Sequence, residues 1–367
     1  MSEPCFTLEE IAAALGARLY GDGAIAIRGA AEPATARPDQ IALAMSPAYV
    51  EGLERGQARA AILWEGADWR ALGLRGALYV PRARYAMAGL TAMFDPGPDI
   101  APGIHPAAHI SESAEIGPGA AIGPFVAVGA GARIGPRARI EAGVTIGAGA
   151  VIGADALVYA GARIQRNVRI GDRFIAQPNA VIGGDGLSFV TPERSGVERA
   201  RETMGAQGPI TRQSWTRIHS LGGVVIGDDV EVGANSCVDA GTIRPTRIGR
   251  GTKIDNQVQI AHNVELGEDC LMAGQVGIAG SAVIGDRCVL GGKAGVADNL
   301  KVGDDVIAAA GTLILSNAPA GRVLMGYPAV RMETQVEMYK ALRRLPRLLS
   351  RLAGGGKKAV SKPDEND

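Results

Sequence analysis

An aliphatic residue at every sixth position constrains this chain more than any other feature of it. From Ile104 the column runs through Ile110, Ile116, Ile122, Val128, Ile134, Ile140, Ile146, Ile152, Val158, Ile164 and Ile170, yields only at Ala176, and returns at Ile182. It resumes at Ile226, Val232 and Val238, slips across the stretch from Asp239 to Arg247, and continues from Ile248 through Ile254, Ile260, Leu266, Met272, Ile278, Ile284, Leu290, Val296, Val302 and Ala308 to Ile314. A period of six matches neither the turn of an α-helix nor the two-residue alternation of a plain strand, but it suits short strands joined by sharp turns. Each hexapeptide then forms one wall of a triangular prism, with the aliphatic side chain inward and its equivalents stacked eighteen residues apart. Successive coils pair as parallel strands about 4.8 Å apart. Gly follows many of the inward residues, as at Gly117 and Gly285, and small residues are expected at the corners.

Composition agrees with a narrow core of branched side chains: the 367 residues include 52 Gly but only three Trp, seven Tyr and five Phe. The length calls for more than one domain. Residues 1–100 read as a separate α/β domain, in which Thr7 and Glu10 form a capping box for a short helix that Gly16 can end. Strand-like runs follow at Ala60–Leu63 and Ala77–Val80, and the Pro-Gly-rich stretch Asp95–Gly103 marks the boundary. The prism is expected over 101–328, with a polar, Arg-bearing loop expelled at about 184–222. A helix is expected over 329–353, from the spacing of Val336, Tyr339, Leu342, Leu345, Leu349 and Leu352, with Pro346 kinking or splitting it. The polar tail 354–367 reads as disordered.

Lys plus Arg and Asp plus Glu each total 38, so net charge offers no general attraction to nucleic acid or a membrane surface. No window is long and apolar enough for a transmembrane span, and the N-terminus lacks the basic start and apolar run of a signal peptide. Cys5, Cys237, Cys270 and Cys288 have no metal-binding spacing, so free thiols in a cytoplasmic protein are expected.

Histidine is scarce. His105 and His109 lie at the domain junction and His219 ends the expelled loop, whereas His262 falls within the repeat, two residues past the inward Ile260, where its ring should project from the wall. Gly280 follows His262 by eighteen residues and therefore stacks beside it one coil along. An imidazole next to a backbone N–H that no Cβ shields is what acyl transfer needs: a general base and an oxyanion donor. The alternative for Gly280 is a plain corner glycine. Asn256 and Gln259, just ahead of the histidine, either bind sugar hydroxyls or make amide ladders between coils.

The run Lys253-Ile254-Asp255-Asn256-Gln257-Val258-Gln259-Ile260-Ala261-His262-Asn263-Val264 resembles the active-site motif of the UDP-3-O-(3-hydroxyacyl)glucosamine N-acyltransferases of lipid A biosynthesis in Gram-negative bacteria. The resemblance extends over nearly the whole chain, taking in the N-terminal domain, the repeat, the slip near Thr242, the turn Gly183–Gly186 and the C-terminal helix. It implies a left-handed parallel β-helix assembled as a homotrimer, with each site between neighbouring prisms. His262 would deprotonate the sugar 2-amine and the Gly280 N–H would stabilise the oxyanion. The donor would be a 3-hydroxyacyl group on the phosphopantetheine of acyl carrier protein, the acceptor UDP-3-O-acyl-glucosamine, with no other cofactor and no metal. Asn263, with Asn256 and Gln259, would belong to the substrate-binding set, and the N-terminal domain would bind the uridine nucleotide. There Tyr49 matches the family, while Leu43 replaces an aromatic and Ser46 an Asn; Tyr49 either contacts the nucleotide or packs half-buried. Asn299 stands where the family often has a second histidine. Leu313 and Leu315 correspond to the end of the acyl groove, where they either limit chain length or simply pack between coils. Lys340, Arg343, Arg344 and Arg347, with Arg351, form either a docking patch for the acidic carrier or a solvated helix face.

Three other functions are compatible with a prism of this kind. A zinc enzyme on this fold would need three converging histidines, and only His262 lies in the repeat proper. A noncatalytic scaffold or ice-binding prism would show a flat ladder of Thr, which is absent. The nearest rival is another hexapeptide-repeat acyltransferase that acts on a nucleotide sugar with acyl- or acetyl-CoA or on a hydroxyl; the N-terminal domain argues against the O-acyltransferase of the same pathway.

Overall fold

In the computed structural model, residues 4–203, 205, 208–209, 212–326 and 329–354 are described, and the chain divides into two compact units, Met1–Asp99 and Ile100–Asp367. The expected tail lies outside the described residues except for Gly354, which closes the last helix.

In the N-terminal unit β1 (Phe6–Thr7) pairs with β3 (Ala26–Ile27), and a five-stranded sheet is built from β2 (Arg18–Gly21), β4 (Gly29–Ala31), β5 (Gln40–Ala44), β6 (Ala60–Leu63) and β7 (Gly76–Tyr79) in the order β2-β7-β6-β5-β4. All its neighbours are parallel except β2 with β7. The first helix, α1 (Leu8–Leu15), begins at the anticipated capping box: Glu10 N donates to Thr7 Oγ1 at 3.2 Å and Thr7 N to Glu10 Oε2 at 2.7 Å. It ends at Gly16 in the left-handed conformation. Leu8 and Ile11 of α1, with Leu90 of α3 (Ala83–Phe94), pack on one face of the sheet; between β5 and β6 lies α2 (Val50–Arg55), whose Leu53 is buried in a second cluster with Leu63, Leu74 and Tyr79.

The second unit is a three-walled parallel β-solenoid. Successive two- and three-residue strands go to successive walls, so each strand pairs with the one a full coil later, as Ile122 with Ile140 and Ile260 with Ile278. From Ile122 onward the aliphatic column is interior, whereas at its start Ile104 is exposed and Ile110 and Ile116 are half-buried; each fully buried branched side chain contributes about 1.5–3 kcal/mol relative to exposure. A second inward column, two residues earlier in each repeat, consists mostly of Ala and Val and includes the buried thiols Cys270 and Cys288. It explains the one gap in the first: beside Ala176 the second column carries Phe174, fully buried, so a large and a small side chain exchange places at constant volume.

The corners differ from expectation. Many are not glycine, and one row of left-handed positions alternates in charge: Arg137 (φ 56°) bonds Asp155 at 2.6 Å, Arg173 (φ 54°) bonds Asp229 at 2.6 Å, and Arg287 (φ 55°) bonds Asp305 at 2.7 Å. Ion pairs between coils offset part of the roughly 1–2 kcal/mol that a Cβ costs in this conformation. The Arg-held carboxyls of Asp155, Asp229 and Asp305 titrate below the usual range because they accept charge-assisted hydrogen bonds.

Two insertions break the regular coil. The first lies between Val181–Asp185 and Val224–Ile226, but the wall continues further into it than expected, since Gly184 and Asp185 pair with Asp239 and Ala240. Beyond that pairing the segment forms a hairpin, Phe189–Val190 against Thr216–Arg217, and the helix α4 (Gly196–Thr203). The second is the slip at 241–245, an outward bulge after which Arg247 and Ile248 rejoin Glu265 and Leu266.

The C-terminal helix α5 (Met332–Gly354) is a single element that runs on through Pro346 instead of dividing there. Proline deprives the Leu342 carbonyl of its helical donor. The surrounding turns are fully exposed, so water can satisfy that carbonyl, and Ser350 Oγ donates to Pro346 O at 2.9 Å. Among the described residues no helix is long and apolar enough to cross a membrane.

The Phe174–Ala176 exchange generates a prediction: Phe174→Ala should leave a cavity beside Ala176 and destabilise the solenoid by about 3–5 kcal/mol. Urea denaturation followed by far-UV circular dichroism reads this as a lowered midpoint with an unchanged slope.

Candidate active site

His262 lies on the wall that contains Gln259–Ile260 and Gly277–Ile278, in the turn that follows the first of these strands. Its ring is half-buried. Ser281 N donates to His262 O at 3.0 Å, which sets the next coil in register and brings Gly280 against the imidazole. A Cβ built on Gly280 would stand 2.7 Å from His262 Cε1 and 2.8 Å from Nε2, so no other residue fits there without moving the ring. On either side of Gly280, Ala279 N and Ser281 N donate to Val296 O and His262 O, whereas the Gly280 N–H has no acceptor among the described residues.

The other end of the side chain meets Gly186, where a Cβ would lie 2.8 Å from His262 Cβ and 3.0 Å from Cδ2. Gly186 comes from the first insertion and is anchored by its own N–H to Ser220 Oγ at 3.2 Å. The ring is therefore clasped between two glycines.

Asn263 sets the ring's tautomer. Its Nδ2 donates to Arg244 O at 2.9 Å, and its Oδ1 accepts from Thr242 N at 3.2 Å and Thr242 Oγ1 at 2.9 Å, which fixes the amide's orientation. His262 Nδ1, 3.0 Å from that same Oδ1, must then carry the proton. The lone pair is left on Nε2, facing Gly280. Asn263 is buried, its N–H is taken by Thr246 Oγ1 at 2.9 Å, and it presents no free group to a ligand. Asn263, expected in the substrate-binding set, is instead bonded to the His262 ring and held by the 241–245 bulge through Thr242 and Arg244.

Beside the histidine an apolar groove of about 410 Å³ runs along the same wall, lined by Gln259, Ala261, Gly277, Ala279, Gly295, Ala297, Leu313 and Leu315. Two outward rows make its floor, one passing through Gln259, Gly277, Gly295 and Leu313 on paired strands. Nothing lies within 4 Å of where a Gly277 Cβ would be, so the trough is open there. At Gly295 the corresponding point is 3.0 Å from Leu313 Cδ2, so the leucine folds over the trough and ends it.

Gln259 heads the groove and donates from Nε2 to Asp239 Oδ2 at 2.9 Å. Burial pushes the Asp239 carboxyl above its usual range, against the opposing pull of Gln259 and of a positive His262. Asp239, Gly186 and the positioning role of Asn263 escaped the reading of the repeat, because an eighteen-residue register does not extend across either insertion.

The other candidates lie elsewhere. Asn256 accepts from Ala234 N at 2.6 Å and lines a hollow on a different wall, with Lys253, Glu231 and Leu271. Asn299 sits at the corner one coil past Gly280, to whose carbonyl its N–H donates at 3.1 Å; its side chain bonds Asp298 at 3.2 Å. In the N-terminal unit Leu43 is half-buried against the sheet's core, while Ser46 and Tyr49 lie on the turn after β5 with Tyr49 46% exposed. Lys340, Arg343, Arg344 and Arg347 are exposed on α5, with the Arg343 guanidinium 5.8 Å over the Tyr339 ring. Among the described residues no group of three or more His, Cys, Asp or Glu is arranged to hold a metal.

The clasp leads to a second prediction. Gly186→Ala drives a methyl into the His262 ring, and a displacement approaching 1 Å should lower turnover by at least about tenfold with little change in thermal stability. Steady-state kinetics beside a melting curve distinguishes this from unfolding.

The repeat family described as bacterial transferase hexapeptide (six repeats) matches residues 113–148 and 245–280, and that described as hexapeptide repeat of succinyl-transferase matches 223–260 and 281–316. Among solved structures, an Arabidopsis UDP-N-acetylglucosamine acyltransferase superposes with a TM-score of 0.51 at 18% identity, covering 71% of this chain and 85% of that one; the likeness is one of fold, a left-handed parallel β-helix. The UDP-3-O-acylglucosamine N-acyltransferase of Ruegeria pomeroyi is 62% identical over 362 residues, 99% of each chain. That of Paracoccus denitrificans is 64% identical over 95% of each, and that of Ectopseudomonas mendocina 47% identical over 73% of this chain and 71% of its own. With the hexapeptide solenoid, the clasped imidazole and identity of this extent over the full length, the chain belongs to the UDP-3-O-acylglucosamine N-acyltransferase family.

Proposed function

We propose that the chain transfers a 3-hydroxyacyl group from the phosphopantetheine thioester of acyl carrier protein to the 2-amine of UDP-3-O-acyl-glucosamine, with His262 as general base. The observation that carries this reading is the placement of Nε2 and an unpaired Gly280 N–H side by side at the mouth of an apolar groove. With the thioester carbonyl at Gly280 and its acyl chain along Gly277, the amine attacks the carbonyl carbon as its proton passes to Nε2. The oxyanion of the tetrahedral intermediate accepts from Gly280 N–H. Its collapse breaks the C–S bond, and the imidazolium returns the proton to the departing sulfur, which leaves an amide, a thiol and a neutral histidine. No metal or further cofactor enters these steps.

The same reading gives each remaining group a task. Leu313 and Leu315 set the acyl length by closing the trough. Tyr49 and Ser46 would contact the nucleotide. The basic row on α5 suits an acidic carrier and would act mainly on its rate of encounter, in a salt-dependent way. An open wall makes half a pocket, and a homotrimer would supply the other half from a neighbouring prism. The exposed apolar side chains Leu187, Ile218, Leu221 and Ile243, borne by the two insertions that clasp and position His262, support such a covering.

His262→Ala should lower turnover by about a hundred- to ten-thousandfold without altering the elution volume of the assembled protein; activity near that of the parent rejects the assignment. Leu313→Ala should reopen the trough at Gly295 and move the preferred donor towards longer chains by about one coil's width, ~4.8 Å. Mass spectrometry of products from a mixture of acyl carrier thioesters reads that shift.

A further inference from the structure

The groove has two ends, and only one has a role in the account above. Its apolar end closes at Leu313; its polar end is Gln259 and, one coil back on the same wall, Asp239. Asp239 follows the inward Val238 on its strand, so it projects outward in the row that continues through Ala261, Ala279 and Ala297 to Leu315. It therefore stands at the head of the groove, on the side of His262 away from Gly280. A thioester lying with its carbonyl at Gly280 and its chain towards Leu313 leaves that side as the approach for the nucleophile.

Asp239 is half-buried and electrostatically incomplete. Its neighbour Asp185 faces Arg217 at 3.9 Å, and the corner aspartates are held by arginines, but no Lys or Arg among the described residues reaches Asp239. Its hydrogen bond from Gln259 occupies Oδ2. A partly desolvated carboxylate of this kind is costly unless a cation completes it.

We propose that the missing cation is the acceptor itself: Asp239 receives the ammonium form of the sugar amine and so selects an amine over a hydroxyl as nucleophile. This rests on the acyl-transfer reading above. The ammonium passes one proton to the carboxylate, leaving a neutral amine and a carboxylic acid. The amine then attacks, its next proton goes through His262 to the sulfur, and Asp239 returns its own proton to water. Ammonium plus thioester thus gives amide, thiol and one released proton. A hydroxyl acceptor carries no charge to offer and gains nothing from Asp239.

The test compares UDP-3-O-acylglucosamine with its analogue bearing a hydroxyl in place of the 2-amine, using the parent, Asp239→Asn and Gln259→Ala. Asparagine keeps an oxygen for Gln259 Nε2 and removes only the charge. Its KM for the amino acceptor should rise by roughly ten- to a hundredfold, that for the acyl carrier thioester should stay put, and the preference for amine over hydroxyl should fall in proportion. Gln259→Ala, which retains the carboxylate, should keep the preference. If Asp239→Asn is as selective as the parent, or if Gln259→Ala loses selectivity to the same extent, the assignment to Asp239 is overturned while the transferase reading stands. A parent that acylates neither acceptor overturns both.

Discussion

Everything in the second unit depends on the hydrogen-bonded register between one coil and the next. The ladder places residue upon residue at a fixed spacing, so a side chain has no freedom to seek its partner: it meets whatever the next coil presents. His262 meets Gly280 because Ser281 N–H donates to His262 O, and that bond repeats the pattern found along the prism. The imidazole and the backbone N–H proposed as base and oxyanion donor are thereby held together by the same bonds that hold the fold, at no separate cost in ordering them.

Regular coils alone would leave the imidazole free to rotate on an open wall. Both departures from regularity are spent on preventing this. The first insertion carries Gly186 onto one face of the ring, and the second creates the bulge whose Thr242 and Arg244 lock Asn263, which in turn holds Nδ1. A neutral amide in that place directs the proton without adding a charge beside the imidazole, while Asp239 lies towards the groove's polar end. The groove reflects the same economy of means, since omitting a side chain at Gly277 is enough to open a channel along an otherwise flat wall.

Much of this was legible in the chain before any coordinates, because the repeat is a ruler. The aliphatic column marked the solenoid nearly strand by strand, and counting one coil from His262 found Gly280. The ruler fails wherever residues are inserted. Gly186 precedes His262 across the long excursion, and Asp239 precedes it across the bulge, so neither could be located by counting. Asn263 was recognisable as a neighbour of His262 but not as its anchor, since its partners Thr242 and Arg244 lie in the slipped segment. At Ala176 the column reads as a defect until Phe174 is seen to fill the space. At Pro346 local propensity signalled a break, and the helix continues because its exposed turns leave the affected carbonyl to water.

Asn263 fixes the His262 proton on Nδ1 and leaves the lone pair on Nε2 towards Gly280. With only four histidines in the chain, nitrogen NMR of protein labelled at histidine, with His262→Gln to assign the resonance, addresses it directly. In the neutral ring Nδ1 should be the proton-bearing nitrogen and Nε2 the bare one. A neutral ring with its proton on Nε2 would contradict it, because the base would then have no lone pair on the side where the acyl carbonyl must lie.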